Sequence, residues 1–131
     1  MPERRTVIQP ASLKDPRPRY SQAIRTDGGS LLFIAGQTAA DRDGKVVGKG
    51  DIDAQAEQVF ENLKAVLDAA GASFDNLVMT TTYLTDLAYR EAYNRVRLRY
   101  YRDHQPTSTL VVVKSLGHED FLIEIDGIAV L

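Results

Sequence analysis

Three consecutive hydroxyl residues, Thr107, Ser108 and Thr109, open an apolar run at residues 110–113, and one carboxylate, Glu124, interrupts a second apolar run at residues 121–128. Hydroxyls at the mouth of a strand can hold a small ligand. A carboxyl set among Leu122, Ile123, Ile125 and Ile128 can act as acid or base if burial raises its proton affinity. The same residues also describe an ordinary strand start, whose hydroxyls satisfy nearby backbone, and a glutamate on a wet sheet face. Ser108 is no catalytic nucleophile, since no elbow motif surrounds it. His118, Glu119 and Asp120 are consecutive in a loop and do not converge on one ion. With no cysteine and only His104 besides, no metal site is expected.

The elements that must position these groups belong to a chain of 131 residues, enough for one domain over 1–131 with a real core and no room for a second. A composition of 44% hydrophobic and 26% charged residues is that of a globular protein, and a formal net charge of -2 argues against a dedicated nucleic-acid or membrane-surface binder. The absence of cysteine removes any disulfide framework or thiol nucleophile and fits a cytoplasmic setting. Residues 1–5 are polar, with no apolar run behind them, and read as mature sequence.

Residues 6–9 can form a short edge strand, after which Pro10, Pro16 and Pro18 make an extended arm ending at Tyr20. Strands at 21–25 and 31–35, separated by Thr26-Asp27-Gly28-Gly29-Ser30, predict a β-hairpin. Gly36 at the strand end marks a bulge or a close approach to the backbone. Asp51 caps a helix whose apolar residues, from Ile52 through Phe60 and Leu63 to Ala70, recur every three or four positions until Gly71 stops it. Asp53, Glu57, Glu61, Lys64 and Asp68 fill its other side as a solvated face.

A strand at 77–84 precedes a second helix, capped at Thr85-Asp86 and running to about Arg102, with Tyr89, Ala92, Tyr93, Val96 and Tyr100 as its buried stripe. Arg90, Arg95, Arg97, Arg99 and Arg102 surround that stripe; without interleaved stacking residues they read as wet heads on apolar stems, not an RNA surface. Strands at 108–114 and 121–130 complete the order ββ, β, α, β, α, β, β. This predicts an α+β layer fold with both helices on one face of a mixed sheet. Strand residues pointing to both faces leave apolar surface exposed on the second, and self-association is its simplest cover.

Several segments together resemble the Rid (YjgF-like) family of reactive-intermediate deaminases. They are Tyr20-Ser21-Gln22-Ala23, Leu32-Phe33-Ile34-Ala35-Gly36-Gln37, Gly50-Asp51-Ile52 through Gln55, Glu61-Asn62-Leu63-Lys64-Ala65-Val66-Leu67, Ala69-Ala70-Gly71, residues 80–84, Asn94, Pro106 and Ile123-Glu124-Ile125. The resemblance implies a chorismate-mutase-like α+β fold and a homotrimer with clefts between subunits. It implies hydrolysis of amino-acid-derived enamines or imines to a keto acid and ammonia, with neither metal nor organic cofactor. The expected partners are further copies of the chain and a small metabolite, with no membrane. Nucleic-acid binding or endoribonuclease-like activity is the weaker alternative, and a non-catalytic ligand-sensing trimer is the other.

Position by position, Tyr20 matches the family tyrosine as an orienting donor, Asn94 the helix asparagine and Glu124 the glutamate, here the acid/base. Thr107, Ser108, Thr109, Ala35, Gly36 and Leu110 are the remaining expected ligand contacts. Ser108 stands where the family carries the arginine that holds a substrate carboxylate. Ala35 replaces a hydroxyl residue, and Leu110 a cysteine found in several members. One neutral hydroxyl bond replaces two charge-assisted ones, so the substrate is expected to differ unless another cation serves. Lys114, roughly 20 Å further along the strand, does not; an arginine from the second helix of a neighbouring subunit could, but nothing in the sequence places one there.

Overall fold

Two helices lie on one face of a four-stranded sheet. The computed structural model describes residues 5–131, so the reading of residues 1–5 falls, except for Arg5, outside the described residues. In chain order the elements are β1 (Arg5–Ile8), β2 (Ala23–Thr26), β3 (Leu31–Gln37), α1 (Ile52–Ala69), β4 (Leu77–Leu84), α2 (Arg90–Tyr101), β5 (Thr107–Val112) and β6 (Ile123–Val130). The sheet runs β3-β6-β4-β5, with β4 and β5 parallel and its other pairs antiparallel. Among the described residues, no helix is long and apolar enough to cross a membrane.

The expected hairpin between residues 21–25 and 31–35 does not form. β2 pairs with β1 in a separate two-stranded ribbon, and β3 pairs with β6. Gly28 and Gly29 do take the positive φ angles of a tight turn, at 81° and 102°. Turn chemistry is local, however, whereas strand partners are chosen by the rest of the chain.

α1 begins as expected, with the Asp51 carboxylate accepting from Ala54 N at 3.1 Å. Its buried stripe contains a polar residue that periodicity alone assigns to water: Gln55 is fully buried. Gln55 Nε2 donates to the carbonyls of Gly48 and Asp120 at 3.1 and 2.7 Å, and its Oε1 accepts from Leu122 N at 2.8 Å. These bonds tie the start of α1 to the chain entering β6, and so fix where Glu124 emerges. Asn62 does the same for the chain leaving β3, donating to the carbonyls of Thr38 and Ala40.

The acidic side of α1 is not simply wet, because it faces α2. Asp53 pairs with Arg95 at 2.8 Å, Glu57 with Arg99, and the single proton of the Tyr100 hydroxyl is shared between carboxylate oxygens of Glu57 at 2.8 Å and Glu61 at 2.6 Å. Phe60, fully buried, meets Phe74, Tyr93, Tyr100 and Tyr101 at ring separations of 5.1 to 6.3 Å.

β6 shows the two sheet faces. Ile123, Ile125, Gly127 and Ala129 are buried under the helices, while Glu124, Asp126 and Ile128 alternate onto the other face. That second face is open and apolar at one end: Leu31 is 59% and Phe33 72% exposed, with Met79 and Ile128 beside them through the strand register. These residues form the apolar patch that strand alternation predicts on the second face of the sheet.

Candidate functional site

Ser21 places the proline-rich arm against the start of β5. It is buried, its N–H donates to the Pro106 carbonyl at 3.0 Å, and its hydroxyl donates to the Gln105 carbonyl at 2.7 Å. Tyr20 is thereby held at the outer, edge strand of the sheet. Beneath it lies a cavity of about 280 Å³, lined by Arg19, Tyr20, Arg90, Asn94, Arg97, Ser108 and Leu110. Four residues expected from sequence, Tyr20, Asn94, Ser108 and Leu110, thus meet in one place.

Ser108 sits on the helix side of the sheet, since its register partner Thr80 is buried there. Its two hydroxyl neighbours do not join it. The Thr107 hydroxyl donates to the Val78 carbonyl at 2.9 Å, as a strand start does, and Thr109 points to the open face opposite Thr81.

The pocket contains a group that sequence reasoning passed over. Arg97 is only 3% exposed, its guanidinium lies 4.6 Å above the Tyr93 ring, and it donates to the Arg19 carbonyl and to Asn94 Oδ1. In the sequence it is one of five arginines around α2. A signal was present even so: Tyr93, Arg97 and Tyr101 are four apart, which puts all three on one helical stripe, and all three are buried.

Glu124 stands apart from these residues, on the opposite face. Its register partner is Tyr83, whose hydroxyl donates to Asp126 at 3.1 Å. Burial first, and then the negative charge of Asp126, hold the Glu124 carboxyl above the usual carboxylate range. The register of β3 against β6 shifts between Ile34 and Gln37, which is the bulge that Gly36 foreshadowed. Glu124 lies over that bulge: a Cβ on Gly36 would stand 2.7 Å from Glu124 Cδ and nearer still to Oε2. Ala35 and Gly36 line the open face beside it, in a second shallow cavity with Phe33, Met79 and Ile128.

Within one chain, then, the expected site residues fall into two groups on opposite faces of the sheet. A hydroxyl and amide pocket rich in cations lies under the arm, and a carboxylate over a glycine lies on the open face. His118, meanwhile, uses Nδ1 to accept from Asp120 N at 3.0 Å within its own loop.

The profile of the family described as Endoribonuclease L-PSP matches residues 11–131. A crystal structure of a protein of the conserved Rid family from Yersinia pestis, YyfB, superposes with a TM-score of 0.90 at 33% identity, covering 98% of this chain and 99% of that one. The chain belongs to the Rid family. Among other Rid relatives, a RutC family protein of Pyrococcus horikoshii is 44% identical over 111 residues, 84% of this chain and 85% of its own. Protein DfrA of Myxococcus xanthus is 42% identical over 111 residues, 85% of this chain and 84% of its own. RidA from an Antarctic Psychrobacter shares the Rid fold at a TM-score of 0.72 and 31% identity, covering 96% of this chain and 99% of that one.

Proposed function

We propose that this Rid protein is a homotrimer that hydrolyses a small enamine or imine in clefts between neighbouring subunits. The observation that carries the proposal is the division of the site. Tyr20, Asn94 and Ser108 lie on one face of the sheet and Glu124 with Gly36 on the other, so no single chain brings them together. A neighbouring copy seated on the open face around Phe33 covers its apolar surface and sets its own Tyr20 pocket against this chain's Glu124.

In such a cleft, water adds across the C=N bond to give a carbinolamine, with Glu124 taking a proton from the water and returning it to nitrogen. A further proton passes from the new hydroxyl to nitrogen through the same carboxyl. The C–N bond then breaks, leaving a carbonyl compound and ammonia. A carboxyl with raised proton affinity suits both directions of transfer. An enamine first takes a proton on carbon to enter the same path. Tyr20 orients the substrate, and Ser108 contributes one neutral hydrogen bond where an arginine is expected. This substrate is therefore held differently from 2-aminoacrylate in an arginine-bearing relative.

An amino-acid oxidase that releases imines, with their decay followed by a trapping reagent, tests the reaction directly. Across a panel of imines the protein shortens the lifetime of at least one. No acceleration for any member leaves instead the alternative reading, a trimer that binds a metabolite and transforms nothing. Light scattering at micromolar concentration should return a trimer mass, and a monomer mass would defeat the shared cleft.

Gly36→Ala gives a sharper check. The obstructing atoms are the far end of the Glu124 side chain, so stability should change by less than about 1 kcal/mol. The displaced carboxyl should nevertheless lower kcat about 100-fold, the scale expected when a reacting group moves by roughly 1 Å. RNA binding finds less support, because Arg95 and Arg99 of α2 are already paired with Asp53 and Glu57 of α1.

A further inference from the structure

The pocket under the arm holds a buried positive charge with no negative partner. Arg97 is 3% exposed, and among the described residues no carboxylate pairs with it. Of the five N–H groups of a guanidinium, its contacts to the Arg19 carbonyl and Asn94 Oδ1 use two, and its Nε has no partner. Asn94 Nδ2, also buried, has none either. Buried cations are ordinarily paired, because removing a charge from water costs several kcal/mol unless an opposite charge answers it.

The surroundings deepen the imbalance. Arg19 and Arg90 line the same cavity, and none of its lining residues is acidic, in a chain whose formal net charge is -2. The same helix shows how its arginines behave when an acid is in reach: Arg95 takes Asp53 and Arg99 takes Glu57. Arg97 instead lies over the Tyr93 ring, which supports its guanidinium at the pocket beside Ser108.

We infer that Arg97 is the anion anchor of this pocket and binds the carboxylate of an acid-bearing substrate, with Asn94 as a second donor. The inference rests on the proposed imine hydrolysis for the substrate's other half, and it deepens that reading by naming its acid group. The cation enters from α2 and not from β5, so the carboxylate lies on the helix side of Ser108. A small serine at that strand position leaves space for it. Two groups thus act together: Ser108 makes room, and Arg97 supplies the charge.

Pyruvate, a small keto acid, serves as the probe, with acetone as its neutral counterpart and inorganic phosphate as the other anion that a guanidinium takes. In the wild-type protein labelled with nitrogen-15, saturating pyruvate should shift the Arg97 Nε–H resonance, while acetone leaves it in place and phosphate moves it less. Arg97→Gln should weaken pyruvate binding at least about 30-fold, the loss expected when a buried charged hydrogen bond goes unmade. An Arg97 signal that pyruvate leaves unmoved, or that phosphate alone moves, overturns the inference, and this wild-type measurement needs no variant to fold. Pyruvate bound through Arg97 with no imine turnover sustains the anchor while removing the hydrolase reading. Imine turnover with Arg97 untouched by pyruvate removes the anchor and keeps the hydrolase.

Discussion

Glu124→Ala should cut imine hydrolysis by about 100- to 10,000-fold, the range that a positioned general acid–base contributes. The fold should remain intact, since the hydroxyl of its register partner Tyr83 donates to Asp126 and not to Glu124. The loss should appear in kcat with little change in KM, because the carboxyl moves protons and does not hold the ligand. Its raised proton affinity also gives a pH signature. Burial and Asp126 disfavour the ionised form, so the folded pKa lies above the unfolded one. The favourable contribution of the protonated group is then complete below the unfolded value, about 4.3 for glutamate, and is lost as pH rises through the folded value. Glu124→Gln should accordingly unfold at a higher temperature than wild type at pH 7 and at the same temperature in strong acid. A lower melting temperature at pH 7 would show that the ionised carboxylate is stabilised instead.

The largest stability effect belongs to Phe60→Ala, which should cost about 3 to 5 kcal/mol. The ring is fully buried and is the shared contact of Phe74, Tyr93, Tyr100 and Tyr101, with the Tyr100 ring 5.1 Å away. Removing it leaves a cavity between α1 and α2 that the paired charges on their outer edge cannot close. Against a usual total of roughly 5 to 15 kcal/mol, that loss takes a large share of the stability. Denaturant unfolding at fixed protein concentration should show a lower midpoint with an unchanged slope. The pocket under the arm would feel it as well, because Tyr93 supports Arg97 from the same helix.

How far the sequence revealed this molecule depended on whether a signal was local. Asp51, Gly71 and the apolar spacing between them were sufficient for α1, and β4 occupies the residues that its β-favouring run predicts. Gly36 announced the bulge beneath Glu124. The glycine pair after β2 was equally visible, yet it led to a hairpin that does not exist, because β1 and β6 are the better partners and nothing near the turn encodes them. Gln55 and Arg97 escaped for a related reason. Each is a polar residue whose burial depends on an element distant in sequence: the chain before β6 for Gln55, and the arm carrying Arg19 for Arg97. The family likeness named the candidate residues, but their division between two faces of one sheet was not legible in it. That division follows from strand parity once the register is known.

The shared cleft can be tested by mixing two crippled proteins. A Glu124→Ala variant keeps an intact arm pocket, and a Tyr20→Ala, Asn94→Ala variant keeps an intact carboxylate face. Each alone should be inactive. Unfolded and refolded together in equal amounts, they should recover about a quarter of wild-type activity, because in a cyclic trimer that fraction of clefts pairs one intact face from each parent. A mixture that forms trimers and stays as inactive as its parents would contradict a site built from two subunits.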